Sequence, residues 1–593
     1  LFRSSYAVRA GYPAAGIADI NNFYGAVRFI KAAQRAGIKP IVGVEIEHRG
    51  SHLLTAFCKN RTGFTLANRL LTRLLYENPP HSGQIRDPEP HSSTSGSSHL
   101  SNFDPLEELL AEGWDGLFLL VRPDVASRLC GRSREDLFIM LKWGAPVRSA
   151  VACARKLGLP CAAVNTAVYL AEGDLDLYRM LRAIDENTTV DALPPAEALQ
   201  ARHRTVTSAE MQRFFSAFPK ALANSMRIAR ECSGELLPKR YVFPRFCGMS
   251  PEEESARLSA LCRAGIARRY GSGSAVGMSA VGERLTYELS VIRRKGFAGY
   301  FLVVHDIVSR CPRTCGRGSS AASIVSYLLG ITHVDPLEHN LFFERFLNMG
   351  RKDPPDIDVD FPWDERETAL SYVFETYAGR AGMVADHVTF GPRSCIREPA
   401  KAFGLEDDEI EKLLECIRFD ELGKVPSYLL SAARRIRGMP RHIGTHPGGV
   451  VITPEEITAY THLQPAPAGV PVIAWEKDAA EDAGLVKIDI LGNRSLGVLR
   501  DSIELVNSRY NTGINWKDFQ PLGDVPTREL IEKGDTLGVF YVESPATRQL
   551  LKKMGRGDFG HLVIASSIIR PAANRYIRLF VARLKREPYV PLH

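Results

Sequence analysis

The sequence predicts a multidomain α/β protein, and three observations support this prediction. The chain has 593 residues, enough for roughly three to five domains of ordinary size. Its first part alternates short apolar runs with helical stretches, which is typical of a largely parallel sheet covered by helices. Further along, a charged helical stretch separates two β-rich regions, and the end of the chain has a mainly helical pattern.

Composition excludes several classes of protein. Hydrophobic residues are 45% and charged residues 24% of the chain, which excludes a wholly disordered or fibrous protein. The formal net charge of +7 permits a nucleic-acid partner without arguing for one. Eleven cysteines without a paired C-x-x-C spacing fit free thiols, so we expect a cytoplasmic location. No uninterrupted apolar run is long enough to predict a membrane span.

The amino-terminal elements are predicted from short patterns. A helix is predicted over Ala26–Ala36, and a Pro-, Ser- and Gly-rich loop over 79–102. Apolar runs predict strands at Ala15–Asp19, Pro40–Glu45, Gly116–Val121 and Pro160–Asn165. These elements together predict an α/β domain at the start of the chain.

Later elements follow from the same kind of evidence. Leu285, Leu289 and Ile292 predict an amphipathic helix, with Gly296 as its C-cap after a basic last turn. The charged stretch 398–438 predicts helices, 448–492 predicts further strands, and the remainder predicts a helical tail.

An alternating acidic segment is the most informative window. Within Asp353–Phe361, apolar residues and aspartates alternate strictly over the last six positions, which predicts a strand with Ile357, Val359 and Phe361 on one face and Asp356, Asp358 and Asp360 on the other. Neighbours on one face lie only ~6.5–7 Å apart, so their charges repel unless a cation neutralises them. Clustered carboxylates suit Mg²⁺, and a pair of such ions serves phosphoryl displacement. The alternative is a solvated edge strand with an acidic outer face.

A second alternating segment, Gly484–Leu491, places Lys487 and Asp489 on one face of a predicted strand. Asp489 would add a third carboxylate to a two-metal site, and Lys487 would hold a phosphate. Taken alone, the pattern also fits an ordinary solvated strand face.

A glycine-rich loop completes the candidate site. Gly316, Arg317, Gly318 and Ser319 run directly into a predicted helix, where backbone N–H groups and an arginine would receive an anion. The loop lacks the G-K-[ST] ending of a Walker A motif. Its alternative is a glycine-rich helix start without a ligand, but beside an aspartate pair it predicts nucleotidyl transfer.

These motifs resemble one family closely. The chain is similar to the bacterial DNA polymerase III alpha subunit (family C), particularly its error-prone branch, over nearly its whole length. The matching motifs are CGRGSSAASIVSYLLGITHVDPLEHNLFFERFLN (315–348), RKDPPDIDVDFPWDERE (351–367), RHIGTHPGGVVI (441–452), VKIDILG (486–492) and SSIIRPAANRYI (566–577).

The resemblance implies roles for individual residues. The catalytic and metal-holding aspartates would be Asp358, Asp360 and Asp489, with two Mg²⁺ ions, on a palm of the beta-type nucleotidyltransferase class. Asp356 matches the same strand but not the metal-binding pair. The nucleotide- and phosphate-binding residues would be Gly316, Arg317, Gly318, Ser319, Arg345 and Lys487.

The resemblance also implies a domain order. A PHP-type α/β domain would span 1–235, and a palm with a helical thumb insertion and partial helical fingers would follow it. The palm would comprise 236–400 and 443–495, the thumb 401–442 and the start of the fingers 496–593. Family members are longer, so we expect this chain to be truncated at both ends.

The PHP-like region departs from the family pattern in its metal ligands. Asp19 and Glu45 match ligand positions, but Ile20 stands where the family commonly has His. Two further ligands are lost in Asn165–Tyr169, where Thr166 and Val168 cannot bind a metal. We therefore predict that this domain binds no metal at Asp19 and Glu45, has no phosphoesterase activity and serves a structural role.

The resemblance implies a DNA-directed DNA polymerase that adds deoxynucleotides to a primer 3′-hydroxyl, in error-prone repair or damage-tolerant replication. Its partners would be primer-template DNA, deoxynucleoside triphosphates, and in the intact protein a sliding clamp and translesion accessory proteins; no membrane is involved. The alternative is a catalytically incomplete fragment that binds DNA or a polymerase partner without turnover. A stand-alone metallophosphoesterase is disfavoured by the lost ligands.

Overall fold

The computed structural model describes residues 11–77, 103–129, 135–170, 172–193, 203–271, 276–311, 313–351, 353–419, 421–515, 521–570 and 573–588. The loop predicted over 79–102 lies outside the described residues. The chain forms two compact units. The first comprises Leu1–Arg310, Gly316–Val359 and Glu367–Leu491, and the second Cys311–Cys315, Asp360–Arg366 and Gly492–His593.

A six-stranded sheet organises the amino-terminal region. Its strands are β1 (Ala14–Ile20), β2 (Lys39–His48), β3 (Ser51–Cys58), β4 (Leu117–Val121), β5 (Leu137–Lys142) and β6 (Cys161–Val164), hydrogen-bonded in that order. β1 and β2 are parallel, as are β4, β5 and β6, whereas β3 is antiparallel to both of its neighbours. The predicted parallel α/β pattern is therefore present, with an antiparallel hairpin that the apolar runs did not reveal.

Helices cover this sheet because their apolar residues recur at helical spacing. The helix predicted over Ala26–Ala36 is α1 (Ala26–Arg35), in which Val27, Ile30 and Ala33 are buried. The other helices of the region are α2 (Arg61–Glu77), α3 (Pro105–Glu112), α4 (Pro123–Leu129), α5 (Arg148–Leu157), α6 (Leu175–Asp185), α7 (Ser208–Phe214) and α8 (Pro219–Glu231).

A seven-stranded sheet lies in the second half of the chain. Its strands are β7 (Cys315–Arg317), β8 (Asp358–Pro362), β9 (Ala381–Thr389), β10 (Pro440–Ile452), β11 (Leu463–Pro465), β12 (Pro471–Glu476) and β13 (Lys487–Asn493). The strand order is β11-β12-β9-β10-β13-β8-β7. This order makes the two acidic strands, β8 and β13, direct neighbours, although well over a hundred residues separate them in the sequence.

The remaining helices of the first unit are α9 (Pro251–Arg269), α10 (Met278–Lys295), α11 (Ala298–Arg310), α12 (Ile324–Leu328), α13 (Arg366–Thr376), α14 (Ser394–Ala402), α15 (Asp407–Arg418), α16 (Ser427–Ile436) and α17 (Lys477–Asp482). The predicted amphipathic helix is α10, and its C-cap Gly296 is left-handed, with φ of 73°. The predicted charged helical stretch becomes α14, α15 and α16.

The second unit is mainly helical, as the tail pattern predicted. Its helices are α18 (Arg494–Tyr510), α19 (Val525–Lys533), α20 (Pro545–Met554), α21 (Phe559–Ile568) and α22 (Ile577–Leu584). A small apolar core that includes Leu550, Leu551 and Ala565 holds α19, α20, α21 and α22 together. Among the described residues, no helix combines the length and apolar character that crossing a membrane requires.

The acidic strand is shorter than its alternation predicted. β8 begins at Asp358, so the predicted first two residues, Asp356 and Ile357, are not part of the strand. Ile357, Val359 and Phe361 are buried as predicted, while Asp356 lies just before the strand and is exposed. The hydrogen bonding of the preceding residues accounts for the late start: Pro354 and Pro355 have no N–H, and the N–H of Ile357 donates to the hydroxyl group of Tyr300 at 3.3 Å.

One apolar core joins the amino-terminal region to the seven-stranded sheet within the first unit. Trp475 of β12 is 1% exposed and donates from its Nε1 to the backbone oxygen of Phe23 at 3.1 Å. An ion pair of 2.9 Å between Arg28 and Glu476 lies at the same junction. The two sheets therefore fold as parts of one structure.

His462 lies in this junction, beside the ring of Phe23. We expect it to make the stability of the protein sensitive to acid. Its ring nitrogens are buried and, within the described ranges, have no hydrogen-bond partner. Burial lowers the pKa of His462 from 6.5 to about 3. The unfolded chain takes up this proton below pH 6.5 and the folded protein does not, so stability falls as pH decreases towards 3.

We expect wild type to lose about 2 kcal/mol from this group between pH 7 and pH 5. His462→Leu should remove that part of the pH dependence, measured by urea unfolding at both pH values. The same replacement at His442, which is exposed, should leave the dependence intact. An unchanged pH dependence in His462→Leu would contradict the prediction.

Candidate active site

Three carboxylates converge at the junction of β8 and β13. Asp356, Asp358 and Asp489 each place one oxygen so that all three oxygens lie within 4.8 Å of one another. Asp356 is exposed, Asp358 is half-buried and Asp489 is 8% exposed. Buried Val359 and Ile488 anchor the opposite strand faces in the core. That anchoring directs the carboxylates of Asp358 and Asp489 away from the apolar interior.

The electrostatics of the cluster reflect crowded negative charge. Burial, with the nearby carboxylates of Asp356 and Asp489, raises the pKa of Asp358 from 3.8 to about 6. Two cations counteract this effect: the Nε of Arg317 lies 4.0 Å from the Oδ2 of Asp358, and Lys487 forms an ion pair with Asp489. The site is thus arranged to accept further positive charge.

Two orphaned oxygens test whether a metal ion fits the cluster. Among the described residues, the Oδ1 atoms of Asp358 and Asp489 are buried and have no hydrogen-bond partner. Buried carboxylate oxygens are ordinarily hydrogen-bonded or bound to a cation. A set of oxygen donors alone suits a hard divalent cation such as Mg²⁺. The residues present therefore fit a magnesium site.

Asp360 has a different environment from the cluster of three. It lies two residues after Asp358 on β8, and its Oδ2 accepts a hydrogen bond of 2.9 Å from the Nδ2 of Asn493. The Oδ1 of Asn493 in turn caps the start of α18. The structure thus groups Asp356, and not Asp360, with Asp358 and Asp489, and the catalytic role of Asp360 stays a prediction.

The glycine-rich loop lies beside the acidic cluster. After β7, residues Gly318–Ala322 form a 3-10 turn before α12, so the helix starts later than the sequence predicted. Gly318 has φ of +70°, which favours glycine, and a Cβ there would lie 3.6 Å from the Oδ2 of Asp358. The loop backbone therefore passes directly beside the carboxylate of Asp358.

The other predicted phosphate-binding residues differ in their surroundings. A Cβ at Gly316 would approach the backbone oxygen of Ile331 to 2.3 Å, which gives this glycine a packing role. Ser319 is half-buried in the turn, and Arg317 is exposed beside Asp358. Arg345 lies exposed in the 3-10 turn Phe343–Arg345. Nucleotide contacts by these residues stay predictions.

His446 of β10 lies beside β13, the strand that carries Asp489, and the sequence does not predict this proximity. Its Nδ1 accepts hydrogen bonds from the backbone N–H groups of Gly448 and Gly449 at 3.1 and 2.7 Å. Gly449 pairs with Asp489 across β10 and β13. A Cβ at Gly449 would come within 2.9 Å of both His446 and Lys487. The glycine thus leaves room for both side chains beside Asp489.

The predicted remnant of a metal site in the PHP-like region, Asp19 and Glu45, lies near a positively charged residue, Lys142. Asp19 accepts from the backbone N–H of Gly25 at 3.3 Å. Burial raises the pKa of Glu45, and nearby Lys142 opposes that effect. Lys142 also lines a cavity of about 150 Å³ together with Thr166 and His203. That Asp19 and Glu45 bind no metal stays a prediction.

Comparison with known families assigns three consecutive regions. Residues 5–130 match the PHP domain, and residues 256–492 match the bacterial DNA polymerase III alpha NTPase domain. Residues 495–592 match the bacterial DNA polymerase III alpha subunit finger domain. The acidic cluster and the glycine-rich loop both fall within the second region.

Curated relatives match over almost the whole chain. A DNA polymerase III subunit alpha from Halalkalibacterium halodurans is 32% identical over 96% of this chain and 53% of its own length. Error-prone DNA polymerases from Symbiobacterium thermophilum and Pseudomonas fluorescens are 31% and 32% identical, over 97% and 95% of this chain and 56% and 55% of their own lengths. The chain spans about half the length of these relatives. By its domain order and its relatives, the chain belongs to the bacterial DNA polymerase III alpha-subunit family.

Proposed function

We propose that this chain carries the catalytic site of a DNA-directed DNA polymerase. The observation that supports this most directly is the carboxylate cluster of Asp356, Asp358 and Asp489 beside the backbone of Gly318. Closely spaced carboxylates next to a glycine-rich loop provide a place for both divalent cations and a triphosphate. The relatives named as DNA polymerases support the same activity.

In this proposal Asp358, Asp360 and Asp489 hold two Mg²⁺ ions, and Asp356 extends the acidic surface. When bound, Mg²⁺ activates the primer 3′-hydroxyl and offsets charge on the leaving pyrophosphate. The chain itself orients the reactants, because β8 and β13 are anchored in the core.

The phosphate groups would be received by the loop and its neighbours. Gly318 exposes its backbone, Ser319 and Arg317 add side-chain donors, and Arg345 approaches from the adjacent turn. Lys487, which forms an ion pair with Asp489, would turn to a phosphate once cations neutralise that carboxylate. Such preorganised donors stabilise charge that develops during transfer.

The seven-stranded sheet would be the palm, with 401–442 as the thumb and the chain from 496 as the start of the fingers. Exposed Arg434, Arg437 and Arg441 suit contacts with the DNA backbone. The same proposal includes membership of the error-prone branch and a cytoplasmic location. It also includes binding of the intact protein to a sliding clamp and to translesion accessory proteins.

Primer extension on a gapped template tests the activity. The chain should extend a primer in the presence of all four deoxynucleoside triphosphates and Mg²⁺, and chelation with EDTA should stop extension. DNA binding without extension would instead favour the binding fragment. Absence of both would contradict the proposal.

Gly318→Ala should raise the KM for deoxynucleoside triphosphate about tenfold. Alanine at a positive φ costs roughly 1 kcal/mol, and its methyl group would point towards Asp358, where the triphosphate is proposed to bind. Steady-state extension gives the measurement. Gly379→Ala is the matched control, because Gly379 has φ of +72° and, in the part of the chain that the structure describes, no atom within 4 Å of its Cβ position. Equal KM changes in both variants would contradict the prediction.

A further inference from the structure

A buried carboxylate on α10 lies behind the glycine-rich loop. Glu288 is 0% exposed, although charged side chains are seldom fully buried without partners. It accepts hydrogen bonds from the Oγ of Ser323 at 2.7 Å and from the backbone N–H groups of Ile324 and Val325 at 3.1 and 3.3 Å. These donors belong to the residue that ends the loop and to the first turn of α12.

Arg284 completes the arrangement one helical turn earlier on α10. Its Nε donates to Glu288 at 2.7 Å, and its Nη2 donates to the backbone oxygens of Ala322 and Leu341, both at 2.9 Å. Ala322 is the last residue of the loop turn, and Leu341 lies two residues before the turn that carries Arg345. One guanidinium therefore connects the two segments proposed to receive phosphate.

We propose that the Arg284–Glu288 pair is a positioning device for the incoming nucleotide, holding the glycine-rich loop and the Arg345 turn at a set distance from the acidic cluster. The inference rests on the proposed polymerase function, and neither residue is proposed to touch substrate. Burying a carboxylate is costly, and here that cost is offset by four donors, of which the three from Ser323, Ile324 and Val325 connect α10 to the end of the loop. A mobile loop would hold a triphosphate less tightly without changing the reacting groups.

A second buried carboxylate in the same unit provides a matched control. Glu254 of α9 is 2% exposed, accepts from the backbone N–H of Phe246 at 2.9 Å and pairs with Arg245 at 3.1 Å. Its partners lie in the segment before α9 and not in the loop. Glu254→Gln should therefore reproduce the stability loss of Glu288→Gln without its effect on nucleotide binding.

Steady-state primer extension by the full chain separates the two roles. Glu288→Gln should raise the KM for deoxynucleoside triphosphate about ten- to hundredfold with kcat within roughly threefold, since loss of uniform binding acts on KM. Partial unfolding alone lowers the active fraction, and so the apparent kcat, without moving KM. Glu254→Gln should leave KM unchanged. Arg284→Lys, which keeps the charge but cannot reach three acceptors at once, should also raise KM if Glu288→Gln fails to fold.

Equal KM values for wild type, Glu288→Gln and Arg284→Lys would overturn the inference, as would equal increases in Glu288→Gln and Glu254→Gln. If wild type does not extend primers, the proposed function fails separately. The same variants are then compared by equilibrium binding of a fluorescent deoxynucleoside triphosphate in Mg²⁺, which needs no turnover. A selective loss of binding in Glu288→Gln would support the positioning role, and no binding by wild type would overturn it.

Discussion

Replacing Asp358 with Asn should lower the rate of primer extension about a thousandfold or more, because a metal-held charge is worth several kcal/mol in the transition state. Asn keeps the shape of the side chain but removes the negative charge beside Asp489. Initial rates at saturating nucleotide and Mg²⁺ give the measurement. Asp353→Asn is the control. Asp353 is exposed in the same segment and accepts a hydrogen bond of 3.2 Å from the hydroxyl group of Tyr241.

The same variant should gain stability in the absence of metal, which separates lost chemistry from lost fold. The pKa of Asp358 is raised to about 6 in the folded protein, so ionisation destabilises the fold as pH rises from 3.8 through 6. Above pH 7, Asp358→Asn should therefore be more stable than wild type by about 1–3 kcal/mol, and the gain should disappear below roughly pH 4. Retained extension, or a variant that is unfolded without metal, would contradict the assignment.

Trp475→Ala should cost about 3–5 kcal/mol of stability, the usual result of truncating a large buried aromatic residue. Trp475 is 1% exposed in the core that joins the two sheets of the first unit, and the change also removes one donor from the backbone oxygen of Phe23, which still accepts from the N–H of Ala26 at 3.1 Å. Urea unfolding followed by circular dichroism gives the measurement.

The control for Trp475→Ala is Phe419→Ala, at a residue that is 67% exposed and should change stability by no more than about 0.5 kcal/mol. A cost below about 1 kcal/mol at Trp475 would contradict a shared core. A loss of this size would support a structural role for the PHP-like region, since that region supplies one side of the shared core.

Local patterns predicted the elements well where a single face is buried. Leu285, Ile292 and Gly296 marked the helix α10 and its end, and the structure confirms both. Helical spacing places Glu288 on the same face as Leu285 and Ile292, but its residue type argued against burial, because a charged side chain is seldom fully buried without partners. Only the approach of α12 from elsewhere in the chain provides the donors that make its burial tolerable.

In the acidic segment too, some features were predicted by the local pattern and others were decided only by tertiary contacts. Alternation predicted correctly that Val359 and Phe361 are buried, since the period of a strand is a local property. The alternation wrongly placed Asp356 in the strand, because a pattern of residue types does not show where hydrogen bonding to a neighbouring strand begins. Leaving the strand lets Asp356 approach Asp358 and Asp489.

The sequence by itself determined the fold class, the family and the two acidic segments, because periodicity and motif spacing are written along the chain. Only the tertiary structure decided which carboxylates meet. Pairing of β8 with β13 is a long-range choice made by core packing. That choice assembles the carboxylate cluster with two unpartnered oxygens, among the residues the structure describes, and places the loop of Gly318 beside it. The short, fixed distances between these carboxylates, and the electrostatic interactions that depend on them, are established only once the sheet has formed.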